Sequence, residues 1–265
     1  MSNNKLLSGS RNFITLILVL VGCVFLSTSS WSSSNQSDDL QDKLPEVKNR
    51  TESFHLVGVE RVGRLLQLRL RNTSGKSITA YRISASDGWE TGIDYILGDE
   101  SVAPGEEEEF QTPLSNLVRR DAQGVGYQDV TISAVVFEDK SIEGDFNSGT
   151  FILNDRRGQK VQLNRINREI QSLFKEADTD QLSALSKLKS RVAALPEKRP
   201  EGEPIAFQVG LHYMKQHVLK QIEDIEQWSK SKGSAVLPGE LQGSRTVREG
   251  LTKLMDLNNK RAAKL

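Results

Sequence analysis

Leu66-Gln67-Leu68-Arg69-Leu70-Arg71 alternates apolar and polar side chains without a break, and Asn72-Thr73-Ser74-Gly75 closes it with turn-forming residues. A repeat of two is the signature of a strand with one face in a core and the other in water. Val130, Ile132, Ala134 and Val136 repeat the pattern. Between these runs lie further turn signals at Ser86-Asp87-Gly88, Ala103-Pro104-Gly105 and Gly124-Val125-Gly126. Seven strands are expected, near residues 53–61, 64–72, 76–84, 89–97, 106–112, 128–138 and 146–153. Seven short strands in about a hundred residues imply an antiparallel two-sheet sandwich over 52–153.

Within that region, Arg71-Asn-Thr-Ser-Gly-Lys-Ser-Ile-Thr-Ala-Tyr81 followed by Val102-Ala-Pro-Gly-Glu106 resembles bacterial exported Ig-like and FN3-like domains. In those domains a polar hairpin joins two core strands and a Pro-Gly-Glu turn opens a later one. The antibody-type cysteine pair is missing, because the segment has no cysteine. The resemblance implies a fold and no activity.

From residue 154 the repeat changes to that of a helix. Leu163, Ile166, Ile170 and Leu173 are spaced three, four and three apart. A second helix is expected over 180–195, with Asp178 and Gln181 as a capping box, and a third over 204–232, stopped by Gly233. A fourth follows Thr246 and Glu249, a second candidate box, with Val247, Leu251 and Leu254 inward. The fold class expected is therefore α+β multidomain: an Ig-like sandwich followed over 154–265 by a helical bundle or hairpins.

Ahead of both, residues 13–26 form an apolar run preceded by Lys5 and Arg11, and no charge appears between Arg11 and Asp38. A basic start and a short apolar core read as an export signal or membrane anchor over 1–30. At about 1.5 Å per residue the run spans roughly 21 Å, short of the roughly 30 Å hydrocarbon layer. The Ser/Thr stretch up to Trp31 extends it to a marginal span. Three forms fit: a signal cleaved near Ser27-Thr28-Ser29, an uncleaved anchor, or a lipoprotein. The last is suggested by Leu20-Val21-Gly22-Cys23, which resembles a lipobox with Cys23 as the lipid-attachment residue. The apolar core continues past it through Val24-Phe25-Leu26, which favours reading Cys23 as one more apolar side chain. Residues 31–51 hold too little apolar surface to fold and read as a flexible tether.

The 265-residue chain balances 35 basic against 35 acidic side chains. That neutrality hides an asymmetry: residues 52–153 carry 17 acids and 9 basic residues, whereas 154–265 carry 14 acids and 21 basic residues. The two halves attract each other or each is a solvated surface, or the basic half meets an anionic envelope partner such as lipid headgroups or a cell-wall polymer. Nucleic acid is not expected as a partner of an exported chain, and no aromatic residues interleave the arginines.

Motifs for chemistry are scarce. His212 and His217 are five apart and cannot chelate jointly, and no His-Glu-x-x-His occurs. Gly75-Lys76-Ser77 ends like a P-loop, but position 70 is Leu where glycine is required. The lysines three residues after Ser172, Ser186 and Ser229 lack the companion motifs of serine acyl-enzymes. Acidic clusters remain: glutamates 106–109, of which at most half can share a strand face, and Glu143, Asp145 and Asn147 before Gly149, faintly like a calcium loop. Asn35, Asn49 and Asn72 stand in Asn-x-Ser/Thr. No catalytic, cofactor-binding or metal-ligating residue is assigned; Cys23 is the one candidate modification site. The function expected is non-enzymatic: an exported, envelope-associated binding or assembly protein attached to the membrane through its N-terminal segment. The alternatives are an extracytoplasmic hydrolase with a carboxylate site, and a lipoprotein acting as spacer or oligomerisation surface.

Overall fold

The structure, a computed structural model, describes residues 43–265 except 87, 89, 96–99, 122–123, 177–179, 232–236 and 238. It is α+β: ten strands in mixed sheets, then four helices. The described residues belong to one compact unit.

β2 (Phe54–Val62), β3 (Leu65–Asn72) and β6 (Glu107–Pro113) form an antiparallel sheet with β3 central. Leu66, Leu68 and Leu70 are fully buried and Arg71 is exposed, as the alternation requires, while Arg69 is half-buried. Across the ladder Leu68 faces Phe110 in the core register, and on the opposite face Arg71 lies against Glu107 and Arg69 against Glu109. Such cross-strand pairs, apolar inside and oppositely charged outside, fix the register.

The second sheet has the order β1-β9-β4-β5, from β1 (Val47–Asn49), β9 (Val130–Phe137), β4 (Ile78–Ala85) and β5 (Glu90–Asp94). β10 (Ile142–Gly144) also pairs with β9. The two sheets share one hydrophobic cluster, in which Phe54, Tyr81 and Phe110 meet ring to ring beside Leu66, Leu68 and Ile132. β7 (Val118–Asp121) and β8 (Gly124–Tyr127) form a separate hairpin.

Several expectations are corrected here. Val47–Asn49 lies in the stretch expected to be tether, yet it pairs in parallel with β9. Its backbone does what its side chains cannot: Val130 N–H donates to Glu46 O at 2.8 Å and Arg50 N–H to Ile132 O at 3.0 Å. Gly124-Val125-Gly126 is strand, not turn. In β9 the simple alternation fails, because the ladder to β4 shifts register at Ser133 and again at Thr79. Val130 and Ile132 share the inter-sheet core with Val135 and Phe137, so by alternation Ala134 and Val136 face the other way and are buried as well. A bulge re-aims the strand, and the Ser133 hydroxyl is satisfied by donating to Arg82 O at 3.0 Å.

The seventh strand expected at 146–153 is instead the start of α1 (Phe146–Lys175). The Asp145 carboxylate accepts from Ser148 N–H at 2.8 Å and caps the helix. Gly149 then lets the first turns lie on Ile142, where any Cβ would overlap that side chain. Burial of α1 against β9, β10 and β4 outweighs the strand preference of Phe151-Ile152-Leu153. Among the described residues every strand lies before Asp145.

α2 (Gln181–Ala194) and α4 (Val247–Lys264) run back along α1, while α3 (Ile205–Lys230) runs with it. Lys187 and Arg191 of α2 reach Glu176, Arg248 of α4 stacks on Phe174, and Arg157 of α1 pairs with Glu203 just before α3. α1 and α3 cross backbone to backbone at Gly158 and Gly210; a Cβ on either would overlap a carbonyl oxygen of the facing helix. Thr246 caps α4 and Glu249 reaches back to Arg245 N–H, the expected box. Asp178 lies outside the described residues, and α2 is capped by Asp180 instead. The apolar stripes of all four helices meet in one cluster around Leu163, Ile166, Val218 and Leu254.

Candidate binding cleft

A cleft of about 410 Å³ opens where α1 leaves the outer face of β4 and β5. Strand alternation puts Arg82, Glu90, Gly92 and Asp94 on that face, and Gly92 brings no side chain to the floor. Phe151, Ile152 and Asp155 supply the opposite wall.

Two of the three acids are already held. Arg82 pairs with Glu90 and lies 4.1 Å over the Phe151 ring. Arg156, 3% exposed, forks onto Asp94 with both bonds at 3.0 Å. Its Nη2 also donates to Thr79 O at 3.0 Å and Thr79 Oγ1 at 3.1 Å. A guanidinium so buried needs a charge partner and engaged donors, and these contacts supply both for Nε and Nη2. A second cavity, about 430 Å³, lies beyond this pair, lined by Arg156, Tyr95, Lys140 and Lys264. There the Lys140 ammonium donates to Leu265 O at 2.9 Å.

Asp155 differs from its neighbours. Its Oδ2 accepts from Gln159 at 2.7 Å, while Oδ1 is buried and accepts no hydrogen bond among the described residues. Burial pushes its carboxyl up to about 6, and Asp94 adds to that; Gln159, Arg156 and Arg82 act the other way. On α3, Tyr213 feels the charge of both Asp155 and Asp94, and its ring stacks on His217. Arg261 Nη1 donates to His217 Nε2 at 3.2 Å; since a guanidinium only donates, that ring nitrogen carries no proton. Burial first, and then Arg261, hold His217 down at about 4.

The residues singled out in the sequence have other roles. Cys23, Asn35 and the export segment lie outside the described residues. His55 is exposed, His212 bonds Glu197 at 2.7 Å, and His217 faces Arg261, so the histidines form no common site. Glu143 accepts from Ser53 N–H at 2.7 Å and Asp145 caps α1, so these two carboxylates tie backbone together. Among the described residues no group of three or more His, Cys, Asp or Glu side chains is arranged to hold a metal. Of the glutamate run, Glu107 pairs with Arg71, whereas Glu108 is raised above the ordinary carboxylate range by burial near Tyr95 and Tyr81. Asn72 is fully buried, its amide donating to Lys76 O and Val102 O, which organises the turn at Gly75-Lys76-Ser77. Asn49 likewise bonds Phe54 O at 2.9 Å.

Several basic residues of the helices pair with acids of the same half, in Lys189–Glu223, Lys215–Glu197 and Lys220–Asp224 among others. Arg156–Asp94 crosses to the sheet. Arg82, Asp94, Asp155 and Arg156 escaped the sequence reading. One signal was present: Arg156 stands seven residues before Leu163, a charge on the apolar stripe of the helix. No protein-family model, no curated protein and no solved structure matches the chain.

Proposed function

We propose that this is an exported, envelope-associated binding or assembly protein without catalytic activity, attached to the membrane through residues 1–30. It presents an Ig-like sandwich and a helical bundle, and the cleft between β5 and α1 is its binding site. The strand orders support the Ig-like reading: β2-β3-β6 faces β5-β4-β9-β10, the arrangement of A-B-E against C′-C-F-G in such domains. The observation that carries the binding reading is the state of the cleft acids. A carboxylate-based hydrolase needs two carboxyl groups free to exchange protons or attack. Here Glu90 pairs with Arg82 and Asp94 is held in a two-bond fork by Arg156, while Asp155 has a buried oxygen that accepts no hydrogen bond among the described residues.

Fractionation of cells making the full chain, followed by intact mass, tests the reading. Recovery in the envelope fraction is expected, and the mass then separates the forms. An uncleaved chain is an anchor, a chain starting at Cys23 with added acyl mass is a lipoprotein, and a shorter unmodified chain has lost a signal peptide. An unmodified, full-length chain found wholly in the cytosolic fraction would overturn it.

A further inference from the structure

Among the described residues the cleft beside α1 contains one negative charge more than its own cations neutralise: Glu90, Asp94 and Asp155 against Arg82 and Arg156. The excess resides on Asp155, whose buried Oδ1 accepts nothing among the described residues. Leaving a buried acceptor unmade carries the full desolvation penalty of the group, and a carboxylate suffers most. A cation seated in the cleft against the Asp155 carboxylate would offset that charge. The surroundings restrict what can deliver it. Phe151 and Ile152 offer an apolar wall suited to a methylene stem, and about 410 Å³ is near the small end of ligand cavities, roughly 300–1,000 Å³. β5 ends its sheet, and among the described residues no strand pairs with its far edge. An open edge accepts an extended segment by main-chain hydrogen bonds, while alternate side chains enter neighbouring pockets.

We propose that the cleft receives a lysine or arginine side chain from an extended, basic segment of a partner protein, which lies along β5 and sets its cation against Asp155. The inference rests on the binding reading above. The segment's backbone extends the β1-β9-β4-β5 sheet by one strand, its stem packs on Phe151 and Ile152, and its charge completes the cleft. The groups facing Asp155 are Asp94 from β5, Arg82 from β4, Arg156 and Gln159 from α1 and Tyr213 from α3. The two arginines keep the site from accepting a dication, since only one negative charge is uncompensated.

The probes are the acetylated, amidated pentapeptide Thr-Val-Arg-Val-Thr, its analogue with Gln in place of Arg, and ethylguanidinium. Each is titrated into the full chain in detergent, with calorimetry for affinity and amide resonances for location. The Arg peptide should bind about tenfold or more tightly than the Gln analogue, shift and protect the amides of residues 90–94, and lose about tenfold in affinity with Asp155→Asn. Between pH 7.5 and pH 5 its affinity should fall about tenfold as Asp155 takes up a proton. Equal binding of the Arg and Gln peptides, or full affinity in Asp155→Asn, would overturn the proposal. Ethylguanidinium binding as tightly as the peptide would overturn the peptide source and leave a small-cation site. An envelope-located chain that binds none of the probes sinks this inference alone, because localisation is read independently.

Discussion

The two interiors of this molecule are built differently. Between the sheets lie Phe54, Leu66, Leu68, Ile83 and Ile132, all with their neighbours' apolar atoms around them. Between the helices the apolar cluster is interrupted by buried polar groups: Arg156, Gln159, Gln162, Asn167, Lys215, Gln221, Asn258 and Arg261. An apolar interior needs only volume and alternation. A polar one needs each donor and acceptor placed, and tolerates displacement poorly. The sheet core should therefore respond to charge and the helical seam to geometry.

The largest effect should come from putting a charge in the sheet core. Leu68→Asp places a carboxylate opposite Phe110 with no cation in the cluster. The substitution should lower stability by about 3–5 kcal/mol, of order the whole stability of a small domain. A chemical-denaturation midpoint equal to wild type would mean that the Leu66-Leu68-Leu70 face is wrongly assigned.

Next comes backbone proximity in the seam. Gly158→Ala and Gly210→Ala each set a methyl group against a carbonyl oxygen of the facing helix, Phe207 O or Asp155 O. Neither oxygen belongs to a flexible side chain, so the helices themselves must part. A loss of about 3 kcal/mol is expected, large for so small a group. Gly75→Ala is the control, because nothing stands within reach of its Cβ. If all three variants melt alike, the close crossing of α1 and α3 is refuted.

How much of this was legible depends on whether a residue's neighbours in sequence are its neighbours in space. Leu66 to Leu70, and the stripe from Leu163 to Leu173, declare their faces because their apolar side chains keep to one side, even though Gln67 opposite is covered as well. β9 did not, since α1 covers its outer face and both sets of side chains are buried. The first turns of α1 did not either. Phe151-Ile152-Leu153 favours a strand locally, and only the Asp145 cap and the seat of Gly149 on Ile142 decide for helix. The cleft was the least legible part: Arg82, Asp94 and Asp155 come from three elements and belong to no motif. Periodicity reports faces, not the meeting of distant faces.

A smaller effect should separate the two buried titrating groups of the seam by sign. His217, near 4 in the fold against 6.5 when exposed, contributes stability that is fully present above pH 6.5 and lost as pH falls towards 4. Asp155, near 6 against 3.8, does the opposite: its contribution is greatest below pH 3.8 and is lost as pH rises through 6. The windows overlap, so the two slopes largely cancel in the native protein. Relative to wild type, Asp155→Asn should become less stable towards pH 4, by on the order of 2 kcal/mol. His217→Gln should become more stable over the same range. Parallel pH profiles for all three proteins would show that neither group is held as described.

The smallest effect asks whether the seam has to be polar at all. Asn258, fully buried on α4, donates to Asn167 Oδ1 at 3.0 Å, and Asn167 donates in turn to exposed Asn259 at 2.8 Å. Asn167→Ala removes one partner and strands the Asn258 amide, so a loss of about 1–2 kcal/mol is expected. Replacing both, as Asn167→Leu with Asn258→Leu, removes donor and acceptor together and gives the seam the chemistry of the sheet core. Asn259 loses nothing that water does not replace. The double variant should then lie within about 1 kcal/mol of wild type, and above the single one. Denaturation of the three proteins under identical conditions decides it. A double variant less stable than Asn167→Ala would mean that the asparagines are held by geometry that leucine cannot copy, and that the two interiors are not interchangeable even where no charge is involved.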